Sequence, residues 1–188
     1  MCSSDLLFVV NRDQKQIFSL CIFILLYISN KNQTETLHYD ARAEYAWAGS
    51  LVHNGALSCG RAARGDFSSH KLGHSLSLLF DVPHGASLSV MMPAWARYLC
   101  KRHPAPFARL AEAVFDVFDG SEEERAVEGI DLLEDFFRSV GAPTTLRELN
   151  IGEADIARLA VNASARGNFG VLKSLDANDV LEIYKLAY

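Results

Sequence analysis

No two cysteines in this sequence stand at C-x-x-C spacing; Cys2, Cys21, Cys59 and Cys100 are scattered along the chain. That excludes a zinc ribbon, argues against a disulfide framework, and suits reduced thiols in a cytoplasmic compartment. Clusters of Lys and Arg are also missing, and the formal net charge is −5. A protein that neutralises phosphates shows a basic face, so nucleic acid is not an expected partner. The apolar run Ile17 to Ile28, IFSLCIFILLYI, falls short of the roughly 20 residues that cross a bilayer. Arg12 and Lys15 precede it, but no small-x-small cleavage site follows in SNKNQTET. A buried helix or strand is the first reading of this run, ahead of a signal anchor or a non-native N-terminus, and no membrane partner is expected. Glycines are dispersed without a G-x-G-x-x-G stretch, so the turn that brings backbone amides to a dinucleotide pyrophosphate is not in these residues. Internal repeats and low-complexity tracts are absent as well.

What is present can bury a core. Apolar residues are 49% and charged residues 22% of 188, the balance of a globular chain of one domain with room for an appendage. Beyond the polar linker Ser29 to Thr36 the sequence predicts helix after helix. Tyr39 to Cys59 is rich in Ala and Leu and ends at Gly60, a residue suited to a left-handed C-terminal cap. Asp66 to Phe80 places Leu72, Leu76 and Leu79 at helical spacing, and Asp81-Val82-Pro83 breaks it. His84 to Arg102 is a third helix, expected to bend or restart at Pro93. Phe107 to Phe118 puts Leu110, Val114 and Phe118 on one stripe. Ser121 and Glu124 form a capping box for a helix that buries Ile130, Leu133, Phe136 and Phe137 and stops at Gly141. Ala154 to Ala163 and Asp176 to Ala187 complete the set, with Asp176 as N-cap. No segment after residue 40 sustains period-two alternation, so the fold class is all-α.

The histidines carry the chemistry. His70 and His74 are four apart on one helix, so they project from the same face, roughly 6 Å apart along the axis. His84 lies just past the turn and can return beside His70. Imidazole is the commonest transition-metal ligand, and ligands from two adjoining helices are an ordinary way to fix geometry. The competing reading is a partly exposed pair with no ligand, because a catalytic metal usually has three or four protein ligands. His53 and His103 read as surface or interhelix residues, His38 as a linker residue, Trp47 and Trp95 as core or interface aromatics, and Asn54-Gly55 as a packing contact.

The string H-x-x-x-H-x-x-x-x-x-x-x-x-x-H-G from His70 to Gly85 resembles the signature of iron-containing (group III) alcohol dehydrogenases. YDARAEYAWAGSLVHNG (Tyr39 to Gly55) is similar to the helix preceding that signature, especially in the butanol-dehydrogenase-like branch. HGASLSVMMPAW and VLKSLDANDVLEIYKLA continue the likeness, which covers roughly residues 38–188. It implies the helical C-terminal domain of the dehydroquinate-synthase-like fold over 38–188, with residues 1–37 as an atypical appendage. By the same resemblance His70 and His84 are metal ligands, and His74 is the catalytic residue that relays a proton or positions substrate. The implied metal is iron(II), with zinc also accepted, acting as a Lewis acid on the substrate oxygen. The implied coenzyme is NAD(P), with NADP favoured, bound largely through an α/β domain not found in these residues. A small-molecule alcohol or aldehyde is the implied substrate, and a homodimer fits the complete enzyme.

The sequence also departs from the family pattern. The family supplies an aspartate and a further histidine from a helix upstream of the signature. Asp5 and Asp13 lack a partner histidine at helical spacing. The chain therefore reads as a dehydrogenase fragment, inactive alone, and the alternative is a non-catalytic helical domain that serves as an interaction module.

Overall fold

The computed structural model describes residues 39–53 and 66–188. The apolar run, His38, Asn54-Gly55 and the expected end of the first helix at Cys59 lie outside the described residues. Helix α1 spans Tyr39–His53, α2 Ser68–Phe80, α3 His84–Cys100, α4 Ala105–Phe115 and α5 Glu122–Ser139. Two short 3₁₀ turns, Arg147–Leu149 and Glu153–Asp155, lead into α6, Ile156–Ser164, and α7 is Ala177–Leu186. Among the described residues, pairing of extended backbone is limited to an isolated antiparallel bridge between Phe169 and Leu175. The fold is all-α, as the absence of alternation predicts. No described helix is long and apolar enough to cross a membrane.

Local chemistry explains most boundaries. Ser121 accepts a hydrogen bond from the Glu124 amide at 3.2 Å, and the Glu124 carboxylate accepts from the Ser121 amide at 2.7 Å. Two donors that the first turn of α5 would leave orphaned are thereby satisfied. Asp176 caps α7 in the same way, with Asp179 as its reciprocal partner.

Elsewhere the structure corrects the sequence reading. Helix α2 starts two residues later than expected, because Asp66 turns its carboxylate onto the Ser68 amide. Helix α3 runs through Pro93 as one element. Burial of Met91, Met92, Trp95 and Leu99 around that position offsets the lost amide bond and the ring crowding. Helix α4 stops at Phe115, where Asp116 takes a left-handed conformation at φ 56°, so Phe118 falls beyond the helix and is exposed. Phe136 and Phe137 are half-buried, whereas Ile130 and Leu133 are buried as expected.

The core is continuous from α2 to α7. Trp95 is fully buried, with its ring 5.7 Å from Phe107 in an edge-to-face pair. Trp47 on α1 is exposed. Cys100 is a buried free thiol whose pKa burial pushes up. Helix α5 approaches α4 closely at Gly129, where an added Cβ would stand 2.5 Å from the Ala111 methyl carbon. The Tyr184 hydroxyl donates to the Leu72 carbonyl at 2.7 Å, tying α7 to α2.

Asp179 joins α7 to α3 and to the preceding loop. Its carboxylate accepts from the Tyr98 hydroxyl, pairs with Lys173, and accepts from the Asp176 amide at 3.0 Å. Burial pushes the Asp179 pKa up, but Lys173, Tyr98 and the Asp176 amide outweigh it and hold the carboxyl below its ordinary 3.8. The same contact, with burial, pushes the Tyr98 phenol up to about 12. A carboxyl with a depressed folded-state pKa contributes stability that is present above its unfolded value and lost as pH falls through the folded one. Asp179→Asn is therefore expected to be less stable than the wild type at neutral pH and to lose less further stability below pH 3.8. Urea midpoints measured at neutral and acid pH check this, and parallel pH profiles for the two proteins would refute it.

Candidate metal centre and its cavity

Asp66 sets the position of the histidine helix. It is fully buried. One oxygen accepts from the Ser68 amide at 2.8 Å and from the Ser68 hydroxyl, and the other accepts from the amides of Val171 at 2.9 Å and Leu172 at 2.8 Å. A single carboxylate thus pins the start of α2 to the loop before α7. Gly170 makes the contact feasible: at φ +115° it lies where side chains are strained, and a Cβ there would be 2.2 Å from the Lys173 carbonyl oxygen.

The turn between α2 and α3 is equally compact. Asp81 adopts φ 53° and donates its amide to the Ser77 carbonyl at 3.1 Å, and Pro83 precedes the first residue of α3, His84. Gly73 lets the two helices meet, since a Cβ there would be 2.8 Å from the Ser87 hydroxyl oxygen. That hydroxyl donates to the His84 carbonyl at 2.8 Å.

These constraints bring the three predicted histidines together. Ring centres are 5.1 Å apart for His70 and His84, 5.4 Å for His74 and His84, and 6.2 Å for His70 and His74. His70 is buried, while His74 and His84 are exposed. Burial first, and then the neighbouring His84 and His74, lower the His70 pKa to about 4. Burial and His74 lower that of His84. His70 is therefore a neutral imidazole at neutral pH, the form that ligates metals. His103 lies half-buried past the end of α3, away from this cluster in sequence.

Both ring nitrogens of His70 are buried without a hydrogen-bond partner. Leaving a buried polar group unsatisfied costs about 1–3 kcal/mol, so the ring is suited to an occupant that accepts its lone pair. Two imidazoles sharing one tetrahedral ion at about 2.1 Å per nitrogen have ring centres roughly 5 Å apart, which the His70–His84 pair matches. Among the described residues, however, no group of three or more His, Cys, Asp or Glu side chains converges on one ion. The donors fit a transition metal as half of a ligand set.

A cavity of about 690 Å³ opens beside the cluster, bounded by His70, His74, Phe67, Lys71, Arg166 and Phe169. The spacing argument identified the histidines. It missed Asp66 and Lys71, whose partners lie about a hundred residues away in sequence and leave no local periodicity, and Arg166, which enters only through the cavity lining.

A sequence profile for the Fe-containing alcohol dehydrogenase family, C-terminal part, matches residues 19–188. The chain belongs to this family. Among the family's members, a probable NADH-dependent butanol dehydrogenase of Bacillus subtilis is 39% identical over 150 residues, 79% of this chain and 38% of its own length. The crystal structure of an NADH-dependent butanol dehydrogenase from Thermotoga maritima superposes with a TM-score of 0.83 at 31% identity, covering 94% of this chain and 45% of that one. An NADPH-dependent aldehyde reductase of Escherichia coli is 29% identical over 71% of this chain and 34% of its own length. The chain thus spans less than half the length of these family members.

Proposed function

We propose that this chain is the metal-ligating half of an NAD(P)-linked alcohol dehydrogenase that interconverts a primary alcohol and its aldehyde. The observation that carries the proposal is the pairing of His70 and His84, one of them buried with both nitrogens unpartnered. In this reading His70 and His84 hold iron(II), with zinc also compatible with imidazole donors. When bound, the metal polarises the substrate oxygen, and the nicotinamide exchanges the hydride. His74, exposed at the mouth of the cavity, holds or passes the hydroxyl proton. Phe67 and the buried Phe169 supply apolar wall beside the histidines. The relatives' names support a nicotinamide coenzyme and divide between NADH and NADPH, so a preference for NADP rests on the motif resemblance alone.

Two imidazoles bind a metal weakly, and a catalytic site ordinarily has at least three protein ligands. The isolated chain is therefore expected to lose iron(II) or zinc on dialysis, and to oxidise no NADPH with butanal after anaerobic loading with either metal. His70→Ala is expected to abolish the weak metal binding that remains. A chain that retains one metal per molecule after dialysis would sink the half-site reading. Metal binding unchanged by His70→Ala would sink the ligand assignment.

A further inference from the structure

Among the described residues, the cavity beside the histidines is lined by two cations, Lys71 and Arg166, and by no carboxylate. Among the described residues neither cation forms an ion pair with an acidic side chain. Lys71 is nevertheless held in place: its ammonium stands 4.9 Å from the centre of the Phe169 ring, a cation–π contact. Phe169 is in turn fixed by its antiparallel bridge to Leu175, and the adjoining loop by Asp66. A site for an uncharged alkyl alcohol gains nothing from two unpaired cations at its wall. A terminal anion is attracted to both, and because both side chains are exposed that attraction is one that salt screens.

From this arrangement, and resting on the alcohol-site reading above, we infer that the cavity selects alcohols or aldehydes bearing a terminal carboxylate, with Lys71 and Arg166 as the specificity-determining residues. The hydroxyl or carbonyl end faces the histidines and the carboxylate end faces the two cations. The cavity volume, about 690 Å³, is within the range of small-molecule sites, about 300–1,000 Å³, and leaves room for a short chain between the two ends.

The test uses the full chain, stripped of metal with a chelator and then dialysed, so that a carboxylate cannot bind through a metal. Backbone amide shifts of Lys71, His74 and Gly167 are followed by NMR as 4-hydroxybutyrate, 1-butanol or inorganic pyrophosphate is added. 4-Hydroxybutyrate is expected to bind at least about tenfold more tightly than 1-butanol, with the advantage shrinking from about 0.01 M to about 0.15 M ionic strength. Lys71→Met combined with Arg166→Gln is expected to erase that advantage, so that 4-hydroxybutyrate binds no more tightly than 1-butanol; both side chains are exposed, so the fold should survive.

Equal binding of the two alcohols, or an advantage that persists in the double variant, overturns the inference and leaves the alcohol-site reading standing. No shift with either alcohol overturns the inference too, while the alcohol-site reading stands or falls on the metal-binding test of His70 above. Binding of pyrophosphate without any preference for 4-hydroxybutyrate overturns it by assigning the cations to a phosphate group.

Discussion

Asp66→Ala is expected to lower folding stability by about 3 kcal/mol, as much as truncating a buried leucine of helix α2. Its fully buried carboxylate receives three backbone amides at 2.8–2.9 Å, that of buried Ser68 and those of Val171 and Leu172 in a partly exposed loop. Truncation orphans all three, and each buried unsatisfied donor costs about 1–3 kcal/mol, partly relieved where water enters the space. Against a total stability of about 5–15 kcal/mol, that is a large share. Asp66→Asn keeps one acceptor oxygen but turns an NH₂ group toward the donors at the other, so it is expected to fall between wild type and alanine. Ser68→Ala removes only the hydroxyl contact and should be the mildest of the three. Urea unfolding midpoints, read with the slope held constant, test this order. An Asp66→Ala midpoint equal to that of the wild type would mean the clamp contributes nothing.

Gly73→Val is expected to separate the histidine helices. The first carbon of any side chain at this position would lie 2.8 Å from the Ser87 hydroxyl oxygen and 3.4 Å from its Cβ, and a branched chain adds two methyl groups to that clash. Overpacking of this kind costs about 1–3 kcal/mol. The functional cost is greater, because moving α2 away from α3 widens the 5.1 Å His70–His84 spacing on which shared ligation depends. Zinc affinity, measured by calorimetric titration of the full chain, should fall at least about tenfold, the size of effect seen when support around metal ligands is removed. Gly73→Ala tests the cause. It gains up to about 1 kcal/mol of helix propensity and loses part of that to the contact with Ser87. Adding Ser87→Ala removes the offending oxygen, so the double variant should keep the full propensity gain and bind zinc as the wild type does. If Gly73→Val binds zinc as the wild type does, the spacing is set elsewhere.

Together these variants separate two roles in one small region. Asp66 holds α2 against the loop that carries Phe169, and so shapes the cavity wall. Gly73 holds α2 against α3, and so sets the distance between imidazoles. Neither residue needs to touch a substrate for its substitution to be felt at the site.

Helix content, the caps at Ser121 and Asp176, the break at Asp81 to Pro83 and the shared face of His70 and His74 were all legible before any coordinates. Each depends on residues within one or two turns of each other, where propensity, capping and the 3.6-residue period act directly. The return of His84 beside His70 was legible too, because a three-residue turn leaves few alternatives. Of the two readings at Pro93, a bend or a restart, the structure excludes the restart, because packing around Met91, Met92 and Trp95 overrides a local penalty; the end of α4 at Phe115 was misread, since a left-handed Asp116 has no periodic signature. The clamp from Asp66 to Val171 and Leu172 and the meeting of Lys71 with Phe169 join segments far apart in the chain, and the close approach of Gly73 to Ser87 depends on how two consecutive helices cross. Such contacts are chosen by which surfaces the whole core buries together. The sequence by itself therefore determined which side chains could act as ligands; only the tertiary structure decided how far apart they stand, which of them loses its water, and what charge lines the space in front of them.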